Sequence, residues 1–307
     1  MSTAIERVAE GVPAASPQET PLRRFVALYA QSRIALVALS VLCAIVFVAL
    51  FAPWVSPQDP YDLAKIDIVD ARLPPGEKSA DGMTFILGSD DQGRDMLSAI
   101  FYGLRISLGV GIAATLAAVA IGLALGLIAA YAGGRTESII MRVVDLQLSF
   151  PAILIALVLL AVLGQGVDKI IIALITVQWA YYARTVRASA LVERNKEYVE
   201  AARCLRLSAA RILFKHILPN CLPPLIVVAT VQVAHAIALE ATLSFLGLGL
   251  PITQPSLGLL ISNGFSYMLS GKYWISFYPG VALLVTIMSI NLVADQLRDV
   301  LNPRLAR

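Results

Sequence analysis

Uncharged runs of about 20 residues constrain this chain more than any other feature of its sequence. An α-helix rises about 1.5 Å per residue and the hydrocarbon core of a bilayer is about 30 Å thick, so such a run makes one span. Backbone polar groups must pair within the lipid, so each run is expected to be helical. We therefore predict an all-α membrane protein with six transmembrane helices. The six runs are residues 34–52, 106–132, 138–163, 168–190, 222–247 and 278–297.

The distribution of basic residues predicts the orientation. With six spans both termini lie on one side, and the segments of that side hold 17 of the 24 Lys and Arg residues, against 7 on the other. The positive-inside rule places both termini in the cytoplasm. We divide the chain into a disordered tail (1–22), a first helix with a long outer loop and an interfacial helix (23–103), a five-helix core (104–297) and a cytoplasmic tail (298–307). Ser89 and Gln92 have the spacing of a capping box before that interfacial helix.

Small and helix-breaking residues interrupt two of the spans. Gly122 and Gly126 form a G-x-x-x-G pattern, which either lets two helices approach closely or reflects the frequency of glycine in membrane helices. Pro151 lies inside the third run and is expected to kink it. Arg142 and Asp145 are three residues apart, so we expect them to pair at the cytoplasmic boundary.

Chemically reactive residues are sparse in this chain. Glu240 is the one carboxylate well inside an apolar run, and it is either a structural group bonded to a neighbouring helix or a group in a transport path. His235 is five residues from Glu240 and does not share its helical face, which counts against a membrane-embedded hydrolase. The three cysteines lack metal-ligand spacing. We predict neither catalytic nor metal-binding residues.

The most charged stretch is the connector 184–219, which holds 8 of the 24 basic residues. No Gly or Pro interrupts the sequence after the fourth span, so its helix is expected to continue to about residue 205. Ser208 is a candidate N-cap for a second helix, which Leu218 and Pro219 should end. Because Glu and basic residues alternate here, docking of a cytoplasmic protein explains the connector better than an anionic lipid surface.

This connector resembles the EAA loop in permease subunits of bacterial ABC importers. Glu200, Ala201 and Ala202 supply the EAA motif, and Leu218 and Pro219 follow at the matching distance. The blocks LGSDDQGRDMLSAIFYGLRISL, MRVVDLQLSFPAILIAL, LEATLSFLGLGLPITQPSLG and ADQLRDVLNPR are similar to the C-type permeases of dipeptide, oligopeptide and nickel transporters, over about residues 22–304. Arg206 stands where the family pattern has glycine. Whether the chain turns there or the first helix continues is left open.

The resemblance implies a type I ABC importer permease fold in the bacterial inner membrane, with the EAA loop between helices 4 and 5. It implies a second permease subunit as heterodimer partner, two cytoplasmic ATPase subunits that hold ATP and Mg, and an extracytoplasmic solute-binding protein, but no nucleic acid. Peptides or nickel complexes would be the substrates. The residues assigned to the ATPase contact are Glu200, Ala201, Ala202, Arg206, Leu218 and Pro219.

The sequence contains no G-x-x-x-x-G-K-[ST] phosphate loop, so we expect the chain to bind no cofactor and to catalyse no reaction itself. The alternative is a self-sufficient, ion-coupled carrier. Such carriers are marked by intramembrane charges and broken helices, and only Glu240 and Pro151 favour that hypothesis.

Overall fold

The computed structural model describes residues 21–62 and 66–301, and these residues form helices and loops, with isolated β-bridges in place of a sheet. The predicted all-α fold class is confirmed. The principal helices are α1 (Pro21–Tyr29), α2 (Arg33–Leu50), α3 (Met96–Ala132), α4 (Gly134–Ser149), α5 (Ala152–Leu163), α6 (Val167–Arg194), α7 (Glu197–Cys204), α8 (Ala209–Phe245), α9 (Leu257–Phe265) and α10 (Trp274–Leu301).

Four of the described helices are long and apolar enough to cross a membrane: α2, α3, α8 and α10. The pair α4 and α5 makes a fifth candidate when it is counted as one broken span, because its two halves meet at an angle of 89°. The structure thus gives four or five candidate spans in its described part, where the sequence predicted six. Helix α6 is 28 residues long but carries charged residues near both ends, which lowers its apolar character.

The two predicted tails fall at the edges of the described residues. Residues 1–20 of the first tail and 302–307 of the second lie outside them. The last two residues of the first tail are not disordered, since they begin α1. The second tail was predicted to start at 298, but α10 continues to Leu301.

The predicted interfacial helix does not form as a separate element. Helix α3 begins at Met96 and continues for 37 residues, and its N-cap is Asp95, whose carboxylate accepts a bond from the Ser98 N–H at 2.8 Å. The prediction was wrong because the apolar face that suggested a membrane-surface helix is buried in protein. Met96 and Ala99 are fully buried, in a cluster that includes Trp274 of α10.

Ser89, the first residue of the predicted capping box, holds the described part of the first loop (residues 56–62 and 66–95) together. Its Oγ accepts a bond from the Leu73 N–H at 2.7 Å, and its carbonyl oxygen accepts one from Trp274 Nε1 at 3.2 Å. Within the same loop Arg94 Nε pairs with Asp90 Oδ2 at 2.6 Å, and both side chains are almost completely buried. The first loop is therefore a folded unit that packs on the start of α10.

Helices α3 and α6 approach each other closely at the G-x-x-x-G pattern. A Cβ atom on Gly122 would lie 2.5 Å from Tyr182 Cβ and 2.6 Å from the Trp179 carbonyl oxygen. A Cβ atom on Gly126 would lie 2.7 Å from the Ala183 carbonyl oxygen. Any larger residue would force the two backbones apart, so the prediction of close helix packing is confirmed.

The proline in the third run breaks the helix rather than kinking it. Helix α4 ends at Ser149, Phe150 is extended, and α5 starts after Pro151. The predicted pair between Arg142 and Asp145 is wrong, because Asp145 Oδ1 pairs with Arg184 of α6 at 2.5 Å. Because α4 packs against α6, Asp145 pairs with Arg184 of the neighbouring helix and not with Arg142 of its own helix.

Candidate functional site

The charged hairpin (residues 195–219) follows α6, and it begins with a break that the sequence did not predict. Helix α6 ends at Arg194, Lys196 is extended, and α7 starts one residue later. The Glu193 carboxylate accepts bonds from Lys196 Nζ at 2.6 Å and from the Tyr198 hydroxyl at 2.5 Å. These two bonds fold the chain back over the end of α6, so the predicted continuous helix was wrong.

The turn of the hairpin has Arg206 in a left-handed conformation, with φ +53°. The Arg206 N–H donates to the Arg203 carbonyl at 2.9 Å, and the Leu207 N–H donates to the Ala202 carbonyl at 3.2 Å. These two bonds form a Schellman motif, whose left-handed position is usually glycine. The open question at Arg206 is therefore settled. The first arm of the hairpin, α7, ends before Arg206, and Arg206 adopts the left-handed conformation that a glycine would favour.

Ser208 begins the second arm, as predicted. Its Oγ accepts a bond from the Arg211 N–H at 3.4 Å. The prediction that Leu218 and Pro219 end this arm is wrong, because α8 continues through both residues.

A short π-helical stretch over Ile212–Ile217 explains how the helix passes Pro219. There the N–H of Leu218 bonds to the carbonyl of Leu213, five residues earlier. In a regular α-helix a proline ring would clash with the carbonyl four residues before it, and the wider turns directly ahead of Pro219 relieve this conflict.

The residues assigned to a partner contact differ in exposure. Glu200, Ala201, Arg206 and Pro219 are exposed, and Leu218 is half-buried. Ala202 is only 4% exposed, so its side chain packs inside this chain, and its assignment to a partner contact stays a prediction. It belongs with Val199 to a buried cluster that joins the hairpin to α3 and α6. The buried members of this cluster are Ala118, Leu127, Ala130, Tyr182, Val186, Ala190, Val199, Ala202, Ile212, Ile217, Cys221 and Leu225.

A polar network fixes the two arms of the hairpin to each other. Asn220 Nδ2 donates to the Tyr198 hydroxyl at 3.1 Å and to the His216 carbonyl at 2.8 Å, while Tyr198 donates to Glu193. Burial is the largest cause and the Glu193 carboxylate the next, and they raise the pKa of Tyr198 to about 12. The phenol therefore keeps its proton at neutral pH and remains a donor.

Glu240 lies on α8 and is completely buried. Its two oxygens accept bonds from Ser107 Oγ of α3 at 2.7 Å and from Ser244 Oγ at 2.8 Å. These bonds lie inside the helix packing and favour the structural hypothesis. Its role in a transport path stays a prediction.

A cavity of about 900 Å³ lies between α6, α8 and α10. Gln232, Asp295 and Arg298 are among its polar lining residues, and Val227 and Val231 among the apolar ones. Sequence reasoning missed this cavity, because its wall is assembled from three helices that are far apart in the chain. Glu240 does not line it. Within residues 21–62 and 66–301, no group of three or more His, Cys, Asp and Glu side chains is arranged to hold a metal ion.

Comparisons with known proteins give consistent matches. Residues 122–307 match the family of the binding-protein-dependent transport system inner membrane component, and residues 20–75 match the N-terminal TM domain of oligopeptide transport permease C. The chain is 36% identical to the di/tripeptide transport system permease protein DppC of Pseudomonas aeruginosa, over 95% of this chain and 96% of that protein. It is 40% identical to the dipeptide transport system permease protein DppC of Escherichia coli K12, over 93% of this chain and 94% of that protein.

A solved structure of the MetNI methionine ABC transporter in an inward-facing conformation is similar in fold. Its matched chain superimposes with a TM-score of 0.56 at 20% identity, over 67% of this chain and 98% of that chain. At this identity the likeness concerns the fold alone.

Proposed function

Because this chain belongs to the family of binding-protein-dependent transport system inner membrane components, we propose that it is a permease subunit of an ATP-driven importer of short peptides. One observation carries the proposal: the curated relatives are 36–40% identical over almost the whole chain and are peptide transport permeases by name. The match covers both the N-terminal region and the core. Dipeptides and tripeptides are therefore the proposed substrates.

The subunit crosses the inner membrane several times, and we infer six crossings. Helix α6 supplies the sixth crossing. The other five are α2, α3, the bent pair of α4 and α5, α8 and α10. At 28 residues it is about 42 Å long, more than the thickness of the hydrocarbon core. Its charged residues lie near its ends, with Asp168 and Lys169 at one end and Arg184 and Arg187 towards the other. With six crossings both termini would lie on one side, and the excess of Lys and Arg on that side supports a cytoplasmic location for them and for the charged hairpin.

The charged hairpin is the proposed contact for an ATPase subunit. Glu200, Ala201 and Arg206 are available on its surface, whereas Ala202 fixes α7 to the chain's own interior. Buried contacts join α7 to α3 and α6, so a displacement of the hairpin would be passed to these two helices. In this scheme ATP and Mg are held by two partner ATPases. A second permease subunit completes the pore, and a binding protein delivers the peptide.

Reconstitution tests the proposal directly. The chain, its permease partner and the ATPase pair are placed in liposomes, and uptake of a labelled dipeptide is measured with and without ATP and with and without the binding protein. We expect uptake that requires ATP and the binding protein, and that stops when the phosphate-loop lysine of the ATPase is replaced. Uptake by this chain without ATPase, driven by an ion gradient, would instead establish the carrier hypothesis.

A further inference from the structure

The surface of the charged hairpin has an uneven distribution of charge. From residue 201 to residue 220 the sequence contains four cations and no Asp or Glu: Arg203, Arg206, Arg211 and Lys215. All four are exposed, and no ion pair among residues 21–62 and 66–301 includes any of them. The acids Glu197 and Glu200 lie in the first turn of α7, away from the turn at Arg206. The tip of the hairpin (residues 203–211) is therefore positive, while the start of α7 is negative.

Arg206 occupies a position where its own side chain is a disadvantage to folding. A left-handed residue with a Cβ atom is disfavoured, and glycine or asparagine is the ordinary choice at the end of a helix. The Arg206 side chain is exposed, so packing within the chain does not explain it. Strained residues persist mostly where the side chain serves binding or a switch. The strain at Arg206 thus needs an explanation outside this chain.

An exposed apolar side chain lies directly beside this cation. Leu205 is 75% exposed, and Phe214 on the second arm is 62% exposed. Apolar side chains with arginine close by are typical of the centre and rim of protein interfaces. A guanidinium also binds a carboxylate in a fixed, two-pronged geometry that an ammonium cannot reproduce.

We propose that Arg206 selects the ATPase partner, by pairing with a carboxylate at the rim of an apolar groove on that partner, in which Leu205 would lie. This inference rests on the proposed function, since it presumes that the hairpin contacts an ATPase. The partner it fits is a protein with an apolar pocket bordered by acidic residues. A groove with a neutral or basic rim would leave the positive tip of the hairpin without compensation.

Titration of the ATPase pair onto the permease heterodimer tests this inference. The heterodimer is held in nanodiscs of phosphatidylcholine, and the dissociation constant is measured at 50 and 300 mM KCl. Arg206→Asn keeps a residue that tolerates the left-handed conformation and removes the charged guanidinium together with its long stem. We expect about a threefold to tenfold rise in dissociation constant at 50 mM, with a smaller rise at 300 mM. Arg206→Gly should give the same rise, and Arg206→Lys an intermediate one.

Arg211→Asn is the matched control, because it removes an equal charge from the same surface. We expect its dissociation constant to stay within about twofold of the unmodified protein. An equal loss in both variants would mean that overall charge governs binding, and the inference would fail. It would also fail if Arg206→Asn bound as tightly as the unmodified protein, or if a loss appeared only in nanodiscs with anionic lipid.

A charge exchange identifies the partner residue. Arg206→Glu should weaken binding further, and a Lys substitution at one carboxylate of the ATPase groove rim should restore it. The absence of rescue at every rim carboxylate would overturn the inference. If the unmodified permease bound no ATPase at either salt concentration, the proposed function would fail as well. Binding by the unmodified protein with no effect of Arg206 would overturn this inference alone.

Discussion

The first loop and the charged hairpin are both polar connectors between apolar helices, but only the first loop holds a buried ion pair within the described residues. In the first loop Asp90 and Arg94 are paired with almost no exposure, and the loop is fixed against α10. In the hairpin the four cations of residues 201–220 are exposed, while the interior is made of small and aliphatic side chains. Charge that is buried and paired serves the fold of this chain, and charge that remains exposed is available to another protein.

The largest expected effect tests the buried side of this comparison. Arg94→Ala leaves Asp90 as a buried carboxylate without its cation, which should lower the free energy of unfolding by about 3–5 kcal/mol. Denaturant unfolding in detergent and hydrogen exchange over the first loop would measure the loss. Lys169→Ala is the control, because it removes one member of an exposed pair and should cost less than about 1 kcal/mol. Similar losses in both variants would contradict the distinction between buried and exposed charge.

The next effect separates the inside of the hairpin from its surface. Ala202→Arg forces a charged side chain into the buried cluster and should lower the free energy of unfolding by about 3 kcal/mol. Ala201→Arg adds the same side chain at an exposed neighbour and should change stability by less than about 0.5 kcal/mol. The exposed variant should instead weaken coupled ATP hydrolysis. Thermal unfolding measures the stability of both variants, and ATPase assays measure their coupling. Equal stability of the two variants would mean that Ala202 lies on the surface.

A smaller effect, of opposite sign, is expected at the turn of the hairpin. Arg206→Gly removes the Cβ atom from a left-handed residue, which should stabilise the hairpin by up to about 1 kcal/mol. Hydrogen exchange of the Arg206 and Leu207 amides should slow accordingly. Arg211→Gly is the control. Arg211 lies in a helix, so this substitution should destabilise the hairpin by a similar amount. Faster exchange in Arg206→Gly would show that arginine is not strained there.

The smallest effect is a pH dependence of the first loop. Burial, together with the neighbouring Asp90, raises the pKa of Asp91, and burial raises the pKa of Asp95. The folded loop therefore holds these protons more tightly than the unfolded chain, so their contribution to stability is greatest below about pH 4 and is lost as the pH rises through the folded pKa. Asp91→Asn should flatten this dependence. Hydrogen exchange of both proteins between pH 4 and pH 7, corrected for intrinsic rates, measures it, and a steeper slope in the variant would contradict the assignment.

The sequence predicted well the features that depend on local pattern. Apolar runs marked the long helices, Gly122 and Gly126 marked a close helix contact, and Ser208 marked a helix start. Each of these signals acts over a few residues and does not depend on the rest of the fold. The start of the first arm of the hairpin, α7, could not be predicted in the same way, because it depends on bonds that Glu193 accepts at the end of α6.

Features set by distant neighbours could not be predicted. Asp145 had a candidate partner on its own helix, and only the packing of α4 on α6 shows that Arg184 is preferred. The apolar face at the start of α3 looked like a membrane surface, because the sequence does not show that α10 covers it. Pro219 looked like a helix end, since the π-helical stretch that accommodates it has no sequence signature.

The glycine contact between α3 and α6 has a mechanical consequence. Where the Trp179 carbonyl and Tyr182 would lie within 2.6 Å of a single added carbon on Gly122, neither helix has clearance to slide or roll past the other. A displacement at one end is therefore expected to tilt α3 and α6 together as one rigid pair. A bulky residue at Gly122 would pry them apart, and force applied at one end would no longer arrive intact at the other.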